Sequence, residues 1–299
     1  MAEQIPLSEE ASALQPELDA AREDHTHEVA PDLAYRRLGI VNVVFFGQSG
    51  AGNREWVLID AGLKGTAGLI RSAAEARFGE GARPAAIIMT HGHFDHVGAL
   101  EELAAAWDVP VFAHPLEHPY LNGSAAYPPG DPSVGGGLMA RLARLYPTKP
   151  VDVGARLQAL PADGRIPFMP GWRWIHTPGH AVGHVSLWRE GDRTLIAGDA
   201  FCTTGQESAY QVAVQEPQMH GPPMYFTIDW DAAEDSVRRL AALEPELAIS
   251  FHGTPMKGPE MRAALHRLAA EFRTVAVPEQ GRYVDAPRHA GDASAYEGP

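Results

Sequence analysis

Nine residues, Thr90-His91-Gly92-His93-Phe94-Asp95-His96-Val97-Gly98, place four potential metal ligands within six positions, directly behind the short apolar run Ala86 to Met89. In an extended segment alternate side chains share a face, so His91 and His93 can grip one ion while the turn that follows swings Asp95 and His96 toward a second. Neutral imidazole and carboxylate are ligand types that zinc takes in catalytic sites. Such a run requires a buried strand that ends at a rim where further ligands can join it.

Three more segments have the same form: Trp174-Ile175-His176-Thr177-Pro178-Gly179-His180, Leu195-Ile196-Ala197-Gly198-Asp199 and Ile249-Ser250-Phe251-His252-Gly253. Each apolar run meets a small residue or a turn and delivers a ligand. In layered α/β folds strand ends on one edge converge. His91, His93, Asp95, His96, His180, Asp199 and His252 can therefore meet at one rim.

The rest of the chain supports that layering. Leu38 to Phe46, Trp56 to Ile59, Ala86 to Met89, Val109 to Ala113, Arg156 to Leu160 and Trp172 to Ile175 read as strands, and Thr66 to Phe78 and Leu100 to Trp107 as helices. Val185 to Trp188 pairs with Thr194 to Ala197 across Glu190-Gly191-Asp192. Asp229 caps a helix to Leu243, Leu247 to Phe251 is the last strand, and Pro259 to Thr274 is the closing helix. Strands alternating with helices predict an α/β fold.

Two stretches lack that rhythm. Residues 115 to 150 carry Pro119, Pro128, Pro129, Pro132 and Gly135-Gly136-Gly137, and read as an insertion or lid with an apolar lining from Tyr120, Tyr127 and Tyr146. Residues 200 to 228 read as a functional loop, in which Tyr210 or Tyr225 can donate a hydrogen bond to a developing oxyanion. The domain is expected over 35–275, behind an acidic arm over 1–34 and ahead of a loose tail over 276–299.

Charge narrows the partners. The chain has 24 Lys and Arg against 38 Asp and Glu, a formal net charge of −14, and half of the excess lies in its first 30 residues. This balance repels phosphate backbones and anionic lipid, and excludes nucleic acid and membrane surfaces as expected partners. Cys202 is the only cysteine, which rules out an internal disulfide, and it reads as a small buried residue. With no apolar leader and no long apolar run, a cytoplasmic protein is expected. Oligomeric state is left open.

In order along the chain, Asp60 in Leu58-Ile59-Asp60-Ala61-Gly62, the His-x-His-x-Asp-His run, His180, Asp199 and His252 resemble the five motifs of the metallo-β-lactamase-fold superfamily of metal-dependent hydrolases. The resemblance covers about residues 35 to 275 and implies an αββα sandwich of two similar halves, with the metals at the edge between its sheets. It implies that His91, His93 and His180 hold one divalent ion, that Asp95, His96 and His252 hold another, and that Asp199 bridges them. Zinc is expected first, with manganese, iron or cobalt as alternatives. A hydroxide shared by the two ions would be the nucleophile. Asp95 would also orient it or carry a proton, Asp60 would tie down the ligand loops, and His184 would support a ligand by a hydrogen bond.

An aspartate at 199 argues against a true β-lactamase. With 47 residues after His252, the helical extension of glyoxalase II-like thioesterases is not expected. The expected activity is hydrolysis of a small ester-like molecule with an apolar portion, a carboxylic ester or lactone first. A phosphoester, organophosphate or thioester is the alternative. A sulfur dioxygenase on the same fold would need one iron on His91, His180 and Asp199.

Overall fold

Successive residues of single strands enter different apolar layers. In the computed structural model, which describes residues 5–6, 22–135, 138–205 and 217–297, Phe45, Leu58 and Ile87 pack against the helices Ala67–Phe78 and Leu100–Trp107. Their neighbours Val44, Ile59 and Ile88 point the other way, toward Leu187, Ile196 and Ile249. On the far side, Leu195 and Ala248 pack against the helices Trp230–Ala241 and Gly258–Ala270. Period-2 alternation with both faces apolar is what a strand buried on both sides requires. The result is a four-layer αββα sandwich.

The strands are β1 (Ile5–Pro6), β2 (His27–Ala30), β3 (Leu33–Leu38), β4 (Val41–Phe46), β5 (Val57–Ile59), β6 (Ala86–Ile88), β7 (Val111–Ala113), β8 (Leu157–Ala159), β9 (Trp172–His176), β10 (Val185–Arg189), β11 (Thr194–Gly198), β12 (Gln218–Met219), β13 (Leu247–Ser250) and β14 (Met256–Lys257). Among the described residues, β2 to β8 form one sheet in chain order, and the second sheet runs β14-β13-β11-β10-β9. β5 to β8 pair in parallel, and so do β11 and β13. The loops that follow β6, β11 and β13 therefore leave from one edge of the sandwich.

Several expectations need correction. The run Leu38 to Phe46 is not one strand, because β3 and β4 form an antiparallel pair that turns at Gly39-Ile40. The segment 1–34 is not wholly a solvated arm. β2 pairs with β3, and Asp24 and Glu28 lie 3.6 and 3.1 Å from the buried Arg77 guanidinium. A buried guanidinium without such partners would cost several kcal/mol, on the order of the penalty for any unpaired buried charge. The segment 276–299 is not a loose tail either. Tyr283 and Ala295 are buried, and the Tyr120 hydroxyl donates to the Ala295 carbonyl at 2.7 Å. The closing helix ends at Ala270, with a separate turn Phe272–Val275 after it.

The Asp229 carboxylate accepts from the Ala232 N–H at 3.0 Å and starts the helix Trp230–Ala241 as a cap. Among the described residues, no helix is long and apolar enough to cross a membrane.

Candidate metal centre

All seven histidine and aspartate side chains named as ligands are buried at the edge between the sheets. His91 and His93 leave the end of β6, and Asp95 and His96 lie on the short helix Phe94–Val97 that follows. His180 comes from the turn between β9 and β10, Asp199 directly follows β11, and His252 follows β13.

Ligand atoms of His91, His93 and His180 lie within 4.8 Å of one another, and so do those of Asp95, His96 and His252. Between the two groups stands Asp199. Its Oδ2 is 4.0 Å from His91 Nε2, 3.4 Å from His96 Nε2, 3.4 Å from His180 Nε2 and 3.0 Å from His252 Nε2. Asp95 Oδ2 lies 3.5 Å from His252 Nε2.

The outer nitrogen of each ring explains why the inner one faces the centre. His252 Nδ1 donates to the Ile40 carbonyl at 2.8 Å, and His96 Nδ1 donates to Asp60 Oδ2 at 2.7 Å. Thr90 Oγ1 donates to Asp60 Oδ2 at 2.6 Å, which leaves its lone pairs for His91 Nδ1 at 3.1 Å. Thr227 Oγ1 donates to the Pro223 carbonyl and faces His180 Nδ1 at 3.4 Å. Each arrangement turns Nδ1 outward to its partner and Nε2 inward, the orientation in which a neutral ring offers Nε2 to a metal ion. His93 differs, for its Nδ1 faces inward, 2.9 Å from His180 Nε2.

Electrostatics divide the rings. Burial, reinforced by neighbouring histidines, holds His91 and His180 well below the ordinary histidine value and His93 down to about 3. Burial also opposes charge on His96 and His252, but Asp199 and Asp95 outweigh it and raise both. In turn, His252 and His96 overcome the burial of Asp199 and hold its carboxyl well below the usual range.

The residues fit metal binding. His91 Nε2, His96 Nε2 and Asp199 Oδ1 are buried without a hydrogen-bond partner, and buried polar atoms are rarely left so. Asp60 also approaches His91 and His96 closely enough to form a third ligand group. Its oxygens, however, already accept from the Thr90 amide, the Thr90 hydroxyl and His96 Nδ1. Asp60 therefore orients one ring of each group and is not itself presented to an ion.

His184 lies behind Asp199. Its Nε2 accepts from the Asp199 N–H at 2.9 Å, so its proton sits on Nδ1, facing the Thr177 carbonyl at 3.1 Å. Burial holds His184 down to about 4, in keeping with a neutral ring. Tyr225 is buried against Tyr146 and Phe226, and it is Phe226 that stacks on His93, with ring centres 4.7 Å apart. Tyr210 lies outside the described residues. Cys202 is fully buried.

The supporting residues Thr90, Thr227 and Ile40 were not singled out from sequence, and neither were Phe94 and Phe226, which join Tyr146 of the expected apolar lining in an aromatic group beside His93. Thr90 alone carried a signal, as the hydroxyl residue directly before the histidine run.

The sequence pattern of the Metallo-beta-lactamase superfamily matches residues 36–252. The chain is 47% identical over 232 residues to the probable metallo-hydrolase YflN of Bacillus subtilis (strain 168), covering 78% of this chain and 88% of that one. It is 30% identical over 170 residues to the probable metallo-hydrolase YybB of the same organism, covering 57% of this chain and 64% of that one. In structure it resembles a beta-lactamase domain protein from Burkholderia ambifaria, with a TM-score of 0.58 and 18% identity, covering 85% of this chain and 78% of that one. The last likeness is one of fold. The ordered motifs, the sandwich and the sequence matches agree: this chain belongs to the metallo-beta-lactamase superfamily.

Proposed function

We propose that this protein is a metal-dependent hydrolase that holds two divalent ions and cleaves a small ester-like substrate, a carboxylic ester or lactone. The observation that carries the reading is Asp199 Oδ2 within 4.0 Å of inward-facing nitrogens from both ligand groups, in a protein 47% identical to a probable metallo-hydrolase. His91, His93 and His180 would hold one ion, Asp95, His96 and His252 the other, and Asp199 would touch both. Bound there, paired divalent ions would lower the pKa of water and polarise the carbonyl oxygen of the ester.

The chain's own residues perform the remaining work. Asp95, at the rim of the cluster, accepts or returns a proton as the leaving group departs. Asp60, Thr90, Thr227 and His184 keep the ligands in place without reorganisation during the reaction. Phe94, Tyr146 and Phe226 beside His93 favour a substrate with an apolar portion. Retention of Asp95, His96 and His252 as a second buried group favours two ions over the single iron of a sulfur dioxygenase.

The test is to strip the protein with excess chelator, restore zinc or manganese, and count ions per chain while assaying an aryl ester, a lactone and an aryl phosphate. Two ions per chain and metal-dependent turnover of the carboxylic ester or lactone are expected. Ester hydrolysis that survives complete metal removal would overturn the reading, and turnover of the phosphate alone would move it to phosphoesters.

A further inference from the structure

Glu117, in the insertion, is fully buried yet belongs to neither ligand group. Its Oε2 accepts from the Gly92 N–H at 2.9 Å, and its Oε1 accepts from the Gly183 N–H at 2.8 Å. Gly92 stands between His91 and His93, and Gly183 follows His180 by three positions and directly precedes His184. One carboxylate thus holds two loops that leave different sheets and carry three ligands and a supporting histidine. A third donor, the Tyr127 hydroxyl, binds Oε2 and also accepts from the Gly92 N–H at 2.9 Å.

The fit is close on both sides. A Cβ at Gly183 would lie 2.8 Å from Glu117 Cγ and Oε1, a separation that real side chains do not tolerate. The Tyr127 ring lies 4.3 Å from that of His93 and 3.7 Å from that of Tyr120, stacked on the latter. Tyr120 is anchored by its hydrogen bond to Ala295, and the Tyr296 hydroxyl donates to the Leu116 carbonyl at 3.1 Å. The C-terminal segment thereby braces the turn that carries Glu117.

Desolvating a carboxylate is costly unless it is well paired. Every neighbour of Glu117 named above is a donor, and both amides belong to ligand loops. Packing alone would be served as well by an apolar side chain. We propose that Glu117 is a positioning residue for metal binding, a carboxylate brace that sets the spacing of the His91–His93 loop and the His180–His184 loop. The proposal rests on the reading that those histidines hold an ion.

Glutamine keeps the shape but offers one acceptor where two amides need one each, and aspartate is one methylene too short to reach both loops. The experiment compares wild type, Glu117→Gln, Glu117→Asp and Tyr127→Phe as full-length proteins at pH 8. It has two readouts: hydrogen exchange of the Gly92 and Gly183 amides in metal-free protein, and Co²⁺ affinity by chelator competition with the visible spectrum of the bound ion. A core variant, Leu103→Ala, controls for stability.

The expected result is faster exchange at both amides in Glu117→Asp and at one or both in Glu117→Gln. Co²⁺ binding should weaken about 10- to 100-fold, the range for lost supporting partners, with an altered spectrum. Tyr127→Phe should show a smaller change of the same kind, and Leu103→Ala none in affinity or spectrum. Glu117→Gln and Glu117→Asp that bind Co²⁺ with wild-type affinity and spectrum would overturn the proposal. Should both Glu117 variants fail to fold, Tyr127→Phe with unchanged Gly92 exchange and Co²⁺ spectrum would overturn it. Wild-type protein that bound no Co²⁺ would instead overturn the metal reading, and the brace with it.

Discussion

His184 Nε2 accepts a hydrogen bond from the backbone N–H of Asp199 at 2.9 Å. The ring is thereby fixed behind the carboxylate that faces both ligand groups. Since the amide needs a lone pair, His184 must stay neutral, and burial holds it down to about 4. Replacing His184 with Ala leaves a buried amide and the Thr177 carbonyl without this partner. We expect a loss of about 1–3 kcal/mol in stability and about 10- to 100-fold weaker metal binding. Denaturant unfolding and a chelator competition measure the two effects, and unchanged affinity would remove the supporting role.

The same contact can be disturbed without touching either residue. Gly198 has φ +61°, and a Cβ there would stand 2.4 Å from His184 Nε2. Gly198→Ala should therefore cost at least about 1 kcal/mol through left-handed backbone strain. It should weaken metal binding in the manner of His184→Ala. The double variant should lose less than the sum of the two single losses, because both act on one contact. Strict additivity in a double-mutant cycle would separate them.

Asp60 serves both groups, through His96 directly and through the Thr90 hydroxyl that faces His91. Asp60→Asn keeps the shape but presents an N–H₂ to at least one of three donors. The retained ion count should fall below two per chain on dialysis, with the ion near His96 leaving first. Metal analysis after dialysis checks this, and two firmly retained ions would show that Asp60 orients nothing essential.

Outside the centre, His114 and His176 stack with ring centres 4.3 Å apart and planes at 8°. Burial, then the nearby His176, holds His114 down to about 4. Between its ordinary value of 6.5 and about 4 the unfolded chain binds more protons than the folded one, so stability falls as pH falls through this window. His114→Gln should flatten that loss. The difference has a ceiling of about 1.4 kcal/mol per pH unit for a single proton, reduced by the partial exposure of the ring. Urea unfolding of metal-free protein across this range measures it, and parallel curves for both proteins would contradict the assignment.

Much of this molecule was legible locally. The helix Leu100–Trp107 and the hairpin of β10 with β11 follow from periodicity and turn residues that act over a few positions. The rim was legible for a related reason. Each candidate ligand lies within a few residues of a strand end, so His91, His180, Asp199 and His252 announce themselves one segment at a time. The turn at Gly39-Ile40 and the docked C-terminal segment were not, because continuous apolar texture hid the first and polar composition hid the second.

Sequence by itself determined the superfamily and the layered architecture, and it picked out the seven histidine and aspartate side chains that meet at the rim, since strand burial and side-chain chemistry are properties of short segments. Only the tertiary structure decided what orients them. Asp60 reaches His96 across 36 residues, Ile40 reaches His252 across 212, and Glu117 joins Gly92 to Gly183. A hydrogen bond leaves no periodic trace along a chain, because it depends on two groups meeting in space: Asp60 and His96 meet at the ends of adjacent strands of one sheet, and the Ile40 and Glu117 contacts join the two sheets.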